Sequence, residues 1–100
     1  MILIDVKKEN NQIQSISIKG HAMYDDYGKD IVCSGVSSIT ITTVNGLILL
    51  DQNYVSIVEK KDELIIVVCK HDRICDTLLL NMINLFKELV KTYPKNVQIK

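Results

Sequence analysis

Hydrophobic and polar residues alternate in two short runs at the start of the chain. The runs cover residues 2–8 and 13–19, and the alternation is imperfect in the second. Between them lies the polar segment Glu-Asn-Asn-Gln at 9–12, which is typical of a turn. The pattern predicts a β-hairpin that ends at Gly20 and His21.

The next apolar positions recur every three or four residues, which is the spacing of one helix face. They are Val36, Ile39 or Thr40, Thr43, Leu47 and Leu50. We therefore predict a helix that begins just after Cys33 and continues through Asn45-Gly46, with the glycine allowing close packing. The β-branched run 38–44 favours a strand by propensity, so the pattern alone leaves both assignments open.

Two further strands are predicted over residues 54–60 and 63–70, around a polar turn at Lys60-Lys61-Asp62. The second strand is continuously apolar over residues 64–69. Such a run is typical of a central strand that is buried on both faces.

The widest apolar stripe lies in the last third of the chain, from Ile74 to about residue 92, at helical spacing. It fits either a fully buried core helix or a helix that packs partly against a second subunit. Tyr93-Pro94 ends this helix, and residues 97–100 are predicted to form an edge strand.

These elements give the order β-β-α-β-β-α-(β). We predict a single α+β domain over residues 1–100, with a sheet of four to five strands and two helices. The chain of 100 residues is 47% hydrophobic, which is enough for one modest core.

The charge balance limits the classes of partner that the protein is expected to bind. Twelve basic and twelve acidic side chains give a formal net charge of zero, so no basic field favours nucleic-acid binding. Charges at Asp5, Lys7 and Lys8 interrupt any signal peptide, and no apolar run approaches the length of a membrane span, about 18 residues. We expect a cytoplasmic protein with no membrane contact and no cofactor.

Three cysteines cannot all pair within one chain, and a reducing compartment suits a free thiol. Cys69, His71 and Cys75 suggest a zinc site, but structural zinc usually takes four ligands in closely spaced pairs, so no metal site is predicted. Cys69 is expected to be a small core residue and Cys75 to lie on the following helix. Redox sensing by one of these two thiols is a further alternative.

The stretch 20–38 carries the strongest candidate chemistry. It holds His21 and Cys33 with eleven residues between them. A cysteine is a useful nucleophile only as thiolate, and a neighbouring imidazole can accept its proton. Turn-forming residues at 25–28, with Gly28 at their end, allow the segment to fold back and bring the two side chains together.

The residues around this pair have several possible roles. A helix that starts beside Cys33 would direct N–H groups and its positive end toward the sulfur. Asp30 fits either a helix cap or a partner that orients His21. Residues 23–29 fit a mobile lid in which Tyr24 and Tyr27 contact substrate, although both tyrosines could instead pack at the base of the loop.

The stretch resembles the signature of the ribosomal-processing cysteine proteases, the Prp family. The matching residues are Gly20-His21-Ala22, Tyr24, Tyr27-Gly28, Asp30-Ile31-Val32-Cys33 and Val36-Ser37. One departure is visible, because the family usually has two alanines after the cysteine and this chain has Ser34 and Gly35.

The resemblance implies a cysteine endopeptidase that removes the N-terminal extension of a large-subunit ribosomal protein. Cys33 would be the nucleophile and His21 the base and later proton donor, with the oxyanion held by N–H groups near Ser34 and Gly35. Supporting positions would be Gly20, Gly28, Asp30, Ser34, Gly35 and Ser37. The expected partners are the ribosomal protein precursor and a second copy in a homodimer. The competing hypothesis is a non-enzymatic ribosome-associated binding module with an incidental thiol.

Overall fold

Five strands and two helices follow one another in the order that the hydrophobic pattern predicts. A computed structural model describes residues 1–26 and 28–100. The elements are β1 (Ile2–Glu9), β2 (Gln12–Lys19), α1 (Ile31–Leu50), β3 (Val55–Lys60), β4 (Glu63–Val68), α2 (Arg73–Thr92) and β5 (Val97–Ile99). The predicted α+β class is confirmed.

The strands form one mixed sheet with the order β3-β4-β2-β1-β5. Asn10 and Asn11 connect β1 and β2 with positive φ angles of 54° and 64°, which suits the tight hairpin turn that the polar segment predicts. β5 pairs with β1 in parallel, and the other pairs are antiparallel. The last strand is therefore an edge strand, as predicted.

The core lies on one face of the sheet. Ile4, Ile16 and Ile66 are fully buried there, together with Leu79 and Phe86 of α2. On β4 the alternate residues, at 65 and 67, are only half-buried. The prediction that this strand is buried on both faces is wrong, because its second face carries no helix and is left partly open to solvent.

Helix α1 begins at Ile31, three residues before the predicted start just after Cys33, so that Cys33 lies inside its first turn. Its buried residues recur at helical spacing: Val32, Val36, Thr40, Val44 and Leu47. The buried Thr40 hydroxyl donates to the carbonyl of Val36 at 2.7 Å, so the residue is accommodated without an unpaired polar group. Core packing of this stripe outweighs the strand propensity of residues 38–44.

Helix α1 contains no charged residue, and by length and composition alone it could cross a membrane, with a mean hydropathy of 1.6. The expectation that no segment reaches such a length is therefore wrong. Helices in the cores of soluble proteins pass the same test, and here one face of α1 packs into the core through Val36 and Leu47.

Gly46 lies within α1, and a Cβ built at this position meets no atom within 4 Å. Close packing is therefore not the reason for the glycine, contrary to the expectation. We predict that Gly46→Ala raises the free energy of unfolding by about 0.5–1 kcal/mol, because alanine loses less backbone entropy in a helix. Urea denaturation of both forms tests this, and a destabilised variant would contradict it.

Helix α2 buries one side of its wide stripe through Cys75, Leu79, Met82, Ile83 and Phe86. On the other side Ile74, Leu80 and Leu85 are 52%, 54% and 42% exposed. The interpretation of α2 as a fully buried core helix is therefore wrong, and an apolar surface remains on the outside of the domain.

Candidate active site

The end of β2 fixes the backbone that carries His21. Gly20 has a φ of +91°, and a Cβ at this position would lie 2.5 Å from the carbonyl oxygen of Met1. Any other residue would meet both a disfavoured backbone conformation and a backbone clash. Only glycine fits at position 20, because the backbone of Met1 approaches it so closely. The position of Gly20 in turn fixes the point at which His21 leaves the sheet.

Asp30 links the loop before α1 to the helix itself. One oxygen, Oδ1, accepts hydrogen bonds from the N–H groups of Val32 and Cys33, both at 3.0 Å. The other, Oδ2, accepts from the N–H groups of Tyr24 at 2.9 Å and Asp25 at 3.4 Å. Asp30 is thus the cap of α1 and the anchor of the loop, which favours capping over the orientation of His21.

The carboxyl of Asp30 is held in its charged form. Burial alone would raise its pKa, but the backbone hydrogen bonds from Cys33, Tyr24, Asp25 and Val32 together outweigh burial and bring the pKa below the ordinary value of 3.8. The negative charge lies at the N-terminus of α1, where the helix dipole also favours it.

Cys33 lies in the first turn of α1 and is partly buried. Its Sγ accepts a hydrogen bond from the backbone N–H of Ala22 at 3.3 Å. Ala22 is itself fixed, because it is 1% exposed and its carbonyl accepts from the Asn96 side chain at 3.0 Å. The residue next to His21 therefore contacts the sulfur, so the fold brings the neighbourhoods of the two predicted site residues together.

The imidazole of His21 is held by a residue that the sequence analysis did not single out. Nε2 of His21 lies 3.0 Å from Oδ1 of Asp62, in the turn between β3 and β4. The antiparallel pairing of β2 and β4 matches Lys19 with Glu63, so the residues just beyond the pair, Gly20 and Asp62, meet at the same sheet end. Only the strand order could have revealed this contact, because the two residues are 41 positions apart.

An open cavity of about 790 Å³ joins these parts, and both His21 and Cys33 line it. Of the supporting positions, those in the lining are Gly20, Gly28, Asp30, Ser34 and Ser37. Apolar side chains from the sheet and from α1 add Ile2, Ile18, Val36 and Ile41 to the walls. The arrangement offers a thiol and an imidazole beside a cleft that is large enough for peptide side chains.

Two predicted supporting residues have different surroundings from those expected. Gly35 is outside the cavity lining, and a Cβ built on it would lie 3.5 Å from Cδ1 of Leu89, an ordinary contact. The family's usual alanine would therefore fit at this position. The N–H of Ser34 donates to the carbonyl of Asp30 at 3.0 Å, so it is engaged in the helix and is not a free oxyanion donor in this structure.

The loop tyrosines were expected to contact substrate or to pack at the loop base. The Tyr24 ring packs edge-on against Tyr93 of the α2 C-terminus, with ring centroids 5.3 Å apart, and Tyr24 does not line the cavity. The second alternative therefore describes Tyr24 here. Tyr27 lies outside the described residues. Met23 of the predicted lid, 78% exposed with a φ of 57°, lines the cavity together with Asp25 and Gly28 of the same loop.

The other two cysteines lie outside this cavity. Cys69 is exposed, so its assignment to the core is wrong, whereas Cys75 is fully buried on α2. Burial chiefly, and the nearby charges of Asp76 and Asp72, raise the pKa of Cys75 to about 11, which makes it a poor redox sensor. Among residues 1–26 and 28–100, no three His, Cys, Asp or Glu side chains come together as a metal site.

Comparison with known proteins identifies the family. The family model for cysteine protease Prp matches residues 1–98. The chain belongs to this family. A ribosomal processing cysteine protease Prp from Staphylococcus aureus is 35% identical over 49 residues, which cover 48% of this chain and 46% of the relative. The Bacillus subtilis Prp is 33% identical over 51 residues, which cover 50% and 46%. The matched part thus spans about half the length of these relatives.

Two solved structures match this chain over its whole length. A ribosomal processing protease Prp from S. aureus, in complex with a covalently linked product peptide, superposes with a TM-score of 0.93 at 23% identity and covers 100% of this chain and 98% of its own. The same enzyme with a substrate peptide gives a TM-score of 0.87 at 22% identity, with the same coverage. This chain therefore has the Prp fold.

Proposed function

We propose that this protein is a cysteine endopeptidase in which Cys33 is the nucleophile and His21 is the general base. The observation that carries the proposal is the contact of Ala22 with the Cys33 sulfur at 3.3 Å, which joins the His21 segment to the first turn of α1 at one cavity. Membership of the Prp family supports the same chemistry.

The reaction would proceed in two steps. His21 takes the thiol proton, and the sulfur of Cys33 attacks the scissile carbonyl carbon to form a tetrahedral oxyanion. The intermediate collapses as His21 gives the proton to the leaving amine, which departs as the C-terminal fragment. His21 then takes a proton from water, hydroxide attacks the thioester, and the N-terminal fragment leaves as a carboxylic acid while the thiol is restored.

Two features of the site would favour this chemistry. The first turn of α1 places the Cys33 sulfur at the wall of the cavity, where a bound peptide can reach it. The N–H of Ala22 adds a fixed donor to the thiolate and becomes available to the oxyanion once the sulfur is bonded to carbon. In this scheme Ala22 has the role that the sequence analysis gave to Ser34.

The proposed substrate is the N-terminal extension of a large-subunit ribosomal protein. Relatives of the chain are named ribosomal processing proteases, and the S. aureus enzyme has been captured with substrate and product peptides. The apolar cavity walls at Ile2, Ile18 and Ile41 suit a hydrophobic segment of the extension. No cofactor, metal, nucleic acid or membrane takes part in this proposal, and a cytoplasmic location would keep the thiol reduced.

The experiment is mass spectrometry of the host's large-subunit ribosomal proteins, with the protein present and after its depletion. The proposal expects one ribosomal protein to retain an N-terminal extension only after depletion, and expression of Cys33→Ala not to restore the cut. A non-enzymatic binding module would leave every N-terminus unchanged, and that result would reject the proposal.

A homodimer is the proposed assembly. The sequence pattern allowed a subunit contact on the stripe at residues 74–92, and we propose the uncharged outer face of α1 in its place. Leu49 lies on this face and is 88% exposed, and Ile48 at the edge of the face is 40% exposed. We predict that the wild type sediments as a dimer and that Leu49→Lys shifts it toward monomer, since burying a lysine charge in the interface is costly. A wild type that sediments as a monomer at micromolar concentration would contradict this.

A further inference from the structure

The turn between β3 and β4 holds the His21 segment at two points. The backbone carbonyl of Asp62 accepts the N–H of Gly20 at 2.9 Å. The side-chain Oδ1 of Asp62 lies 3.0 Å from Nε2 of His21. One residue of a distant turn thus fixes both the main chain before the imidazole and the ring itself.

The conformation of Asp62 makes this double contact possible. Its φ of 59° is in the left-handed region, which aspartate adopts more readily than most residues. Gly20, on the other side of the contact, is constrained by Met1, as described above. His21 therefore leaves a backbone that is fixed from two directions, so its ring has few alternative orientations while Asp62 holds it.

The contact also determines where the imidazole proton lies. An ionised carboxylate can only accept hydrogen bonds, so a neutral His21 must carry its proton on Nε2 to bond Asp62. Nδ1 is then the unprotonated nitrogen. It is the ring nitrogen nearer the His21 backbone, and the next residue, Ala22, already contacts the Cys33 sulfur.

We propose that Asp62 is a positioning residue that holds His21 in the Nε2–H tautomer, leaving Nδ1 to accept the thiol proton of Cys33. The inference rests on the proposed roles of His21 and Cys33, and it adds Asp62 to the site as a third residue. Asp62 accepts the hydrogen bond from Nε2–H and transfers no proton. It stabilises the imidazolium that forms when Nδ1 takes the proton.

The solvent exposure of the His21–Asp62 pair limits how much Asp62 can change kcat. The side chains of His21 and Asp62 are 58% and 53% exposed, so solvent screens their attraction. On the cavity side, the other ionisable groups in the lining, among residues 1–26 and 28–100, are Asp25, Asp30 and Cys33. We expect loss of the Asp62 carboxylate to lower kcat about two- to fivefold, with KM unchanged, which is the scale of one exposed pair.

The decisive experiment combines cleavage kinetics with nitrogen NMR of the imidazole. Asp62→Gly removes the carboxylate but retains freedom for a positive φ, so the turn can keep its shape. Asp62→Asn keeps one acceptor oxygen without the charge, and its activity should lie between the glycine variant and the wild type. Glu59→Gln, on the exposed part of neighbouring β3, removes one negative charge and should leave kcat unchanged.

The tautomer is measured in protein labelled with nitrogen-15 at histidine and carrying Cys33→Ala, so that no turnover is needed. The expected spectrum shows a protonated Nε2 and an unprotonated Nδ1 on His21, and Asp62→Gly mixes the two tautomers. A dominant Nδ1–H form, or a spectrum unchanged by Asp62→Gly, overturns the inference. So does unchanged or raised kcat in Asp62→Gly, since the contact would then be idle or would hold the ring away from Cys33.

These measurements separate the proposed Cys33/His21 dyad from the positioning role of Asp62. If Cys33→Ala still cleaves peptide, the proposed dyad fails whatever the tautomer. If Cys33→Ala is inactive but the His21 tautomer does not depend on Asp62, the dyad stands and only the positioning role is lost.

Discussion

Replacement of Cys33 by alanine is expected to lower the rate of peptide cleavage by at least about 10³-fold, because no other group in the site can form the thioester. His21→Ala should reduce kcat by about 10²–10⁴-fold, since the variant lacks both the base for the thiol and the acid for the leaving amine. Both effects are measured with a synthetic peptide that spans the extension and the start of the mature ribosomal protein.

The chain provides matched controls for both variants. Cys69→Ala removes an exposed thiol outside the cavity, and His71→Ala removes the other histidine, whose Nδ1 lies 3.4 Å from Asp76. Both controls should cleave at the wild-type rate. Circular dichroism should show that Cys33→Ala and His21→Ala remain folded. If Cys69→Ala were inactive and Cys33→Ala active, the nucleophile would be assigned to the wrong cysteine.

Replacement of Asp30 by alanine is expected to lower the free energy of unfolding by about 2–3 kcal/mol, through loss of a helix cap and of further hydrogen bonds to backbone N–H groups. Activity should fall as well, because the loop beside Cys33 loses its anchor at Tyr24 and Asp25. Asp30→Asn separates the two roles. The single acceptor oxygen of asparagine can still accept the N–H groups of Val32 and Cys33. Its amide nitrogen is a donor and cannot accept the N–H groups of Tyr24 and Asp25, so only the contact with the loop is lost.

The contribution of Asp30 should depend on pH in a defined direction. Its pKa is lowered in the folded state, so the charged form stabilises the fold above the unfolded pKa, and this stabilisation is lost as pH falls through the lower folded value. The difference in unfolding free energy between wild type and Asp30→Ala should have its largest value at pH 7 and decrease below about pH 4. Urea titrations at pH 7 and pH 3 measure it, and a difference that grew at pH 3 would contradict the assignment.

Local pattern was sufficient for most of the fold. Period-two alternation and the polar tetrapeptide at 9–12 predict the first hairpin, and the helical stripe predicts α2 to within one residue at its start. The start of α1 was misplaced because the capping role of Asp30 was left open. The exposure of one face of β4 could not be predicted, because an apolar run does not reveal how many faces of a sheet carry helices.

The residues of the site could be predicted from the sequence only in part. His21 and Cys33 could be named because they lie in one short stretch whose motif resembles a known family. Asp62 and Asn96 could not, because they reach the site from distant parts of the chain, through the pairing of β2 with β4 and through the Asn96 contact with Ala22. The Ala22 donor was also missed, since a backbone N–H has no signature in a sequence.

The most direct test of Cys33 as the nucleophile is to trap the acyl-enzyme. The wild type is mixed with the extension peptide, quenched in acid during the first turnovers, and weighed intact by mass spectrometry. We expect added mass equal to the N-terminal fragment less one water, mapped by digestion to Cys33 and absent from Cys33→Ala. Cleavage of the peptide with no such adduct, or with the adduct on Cys69 or Cys75, would contradict it.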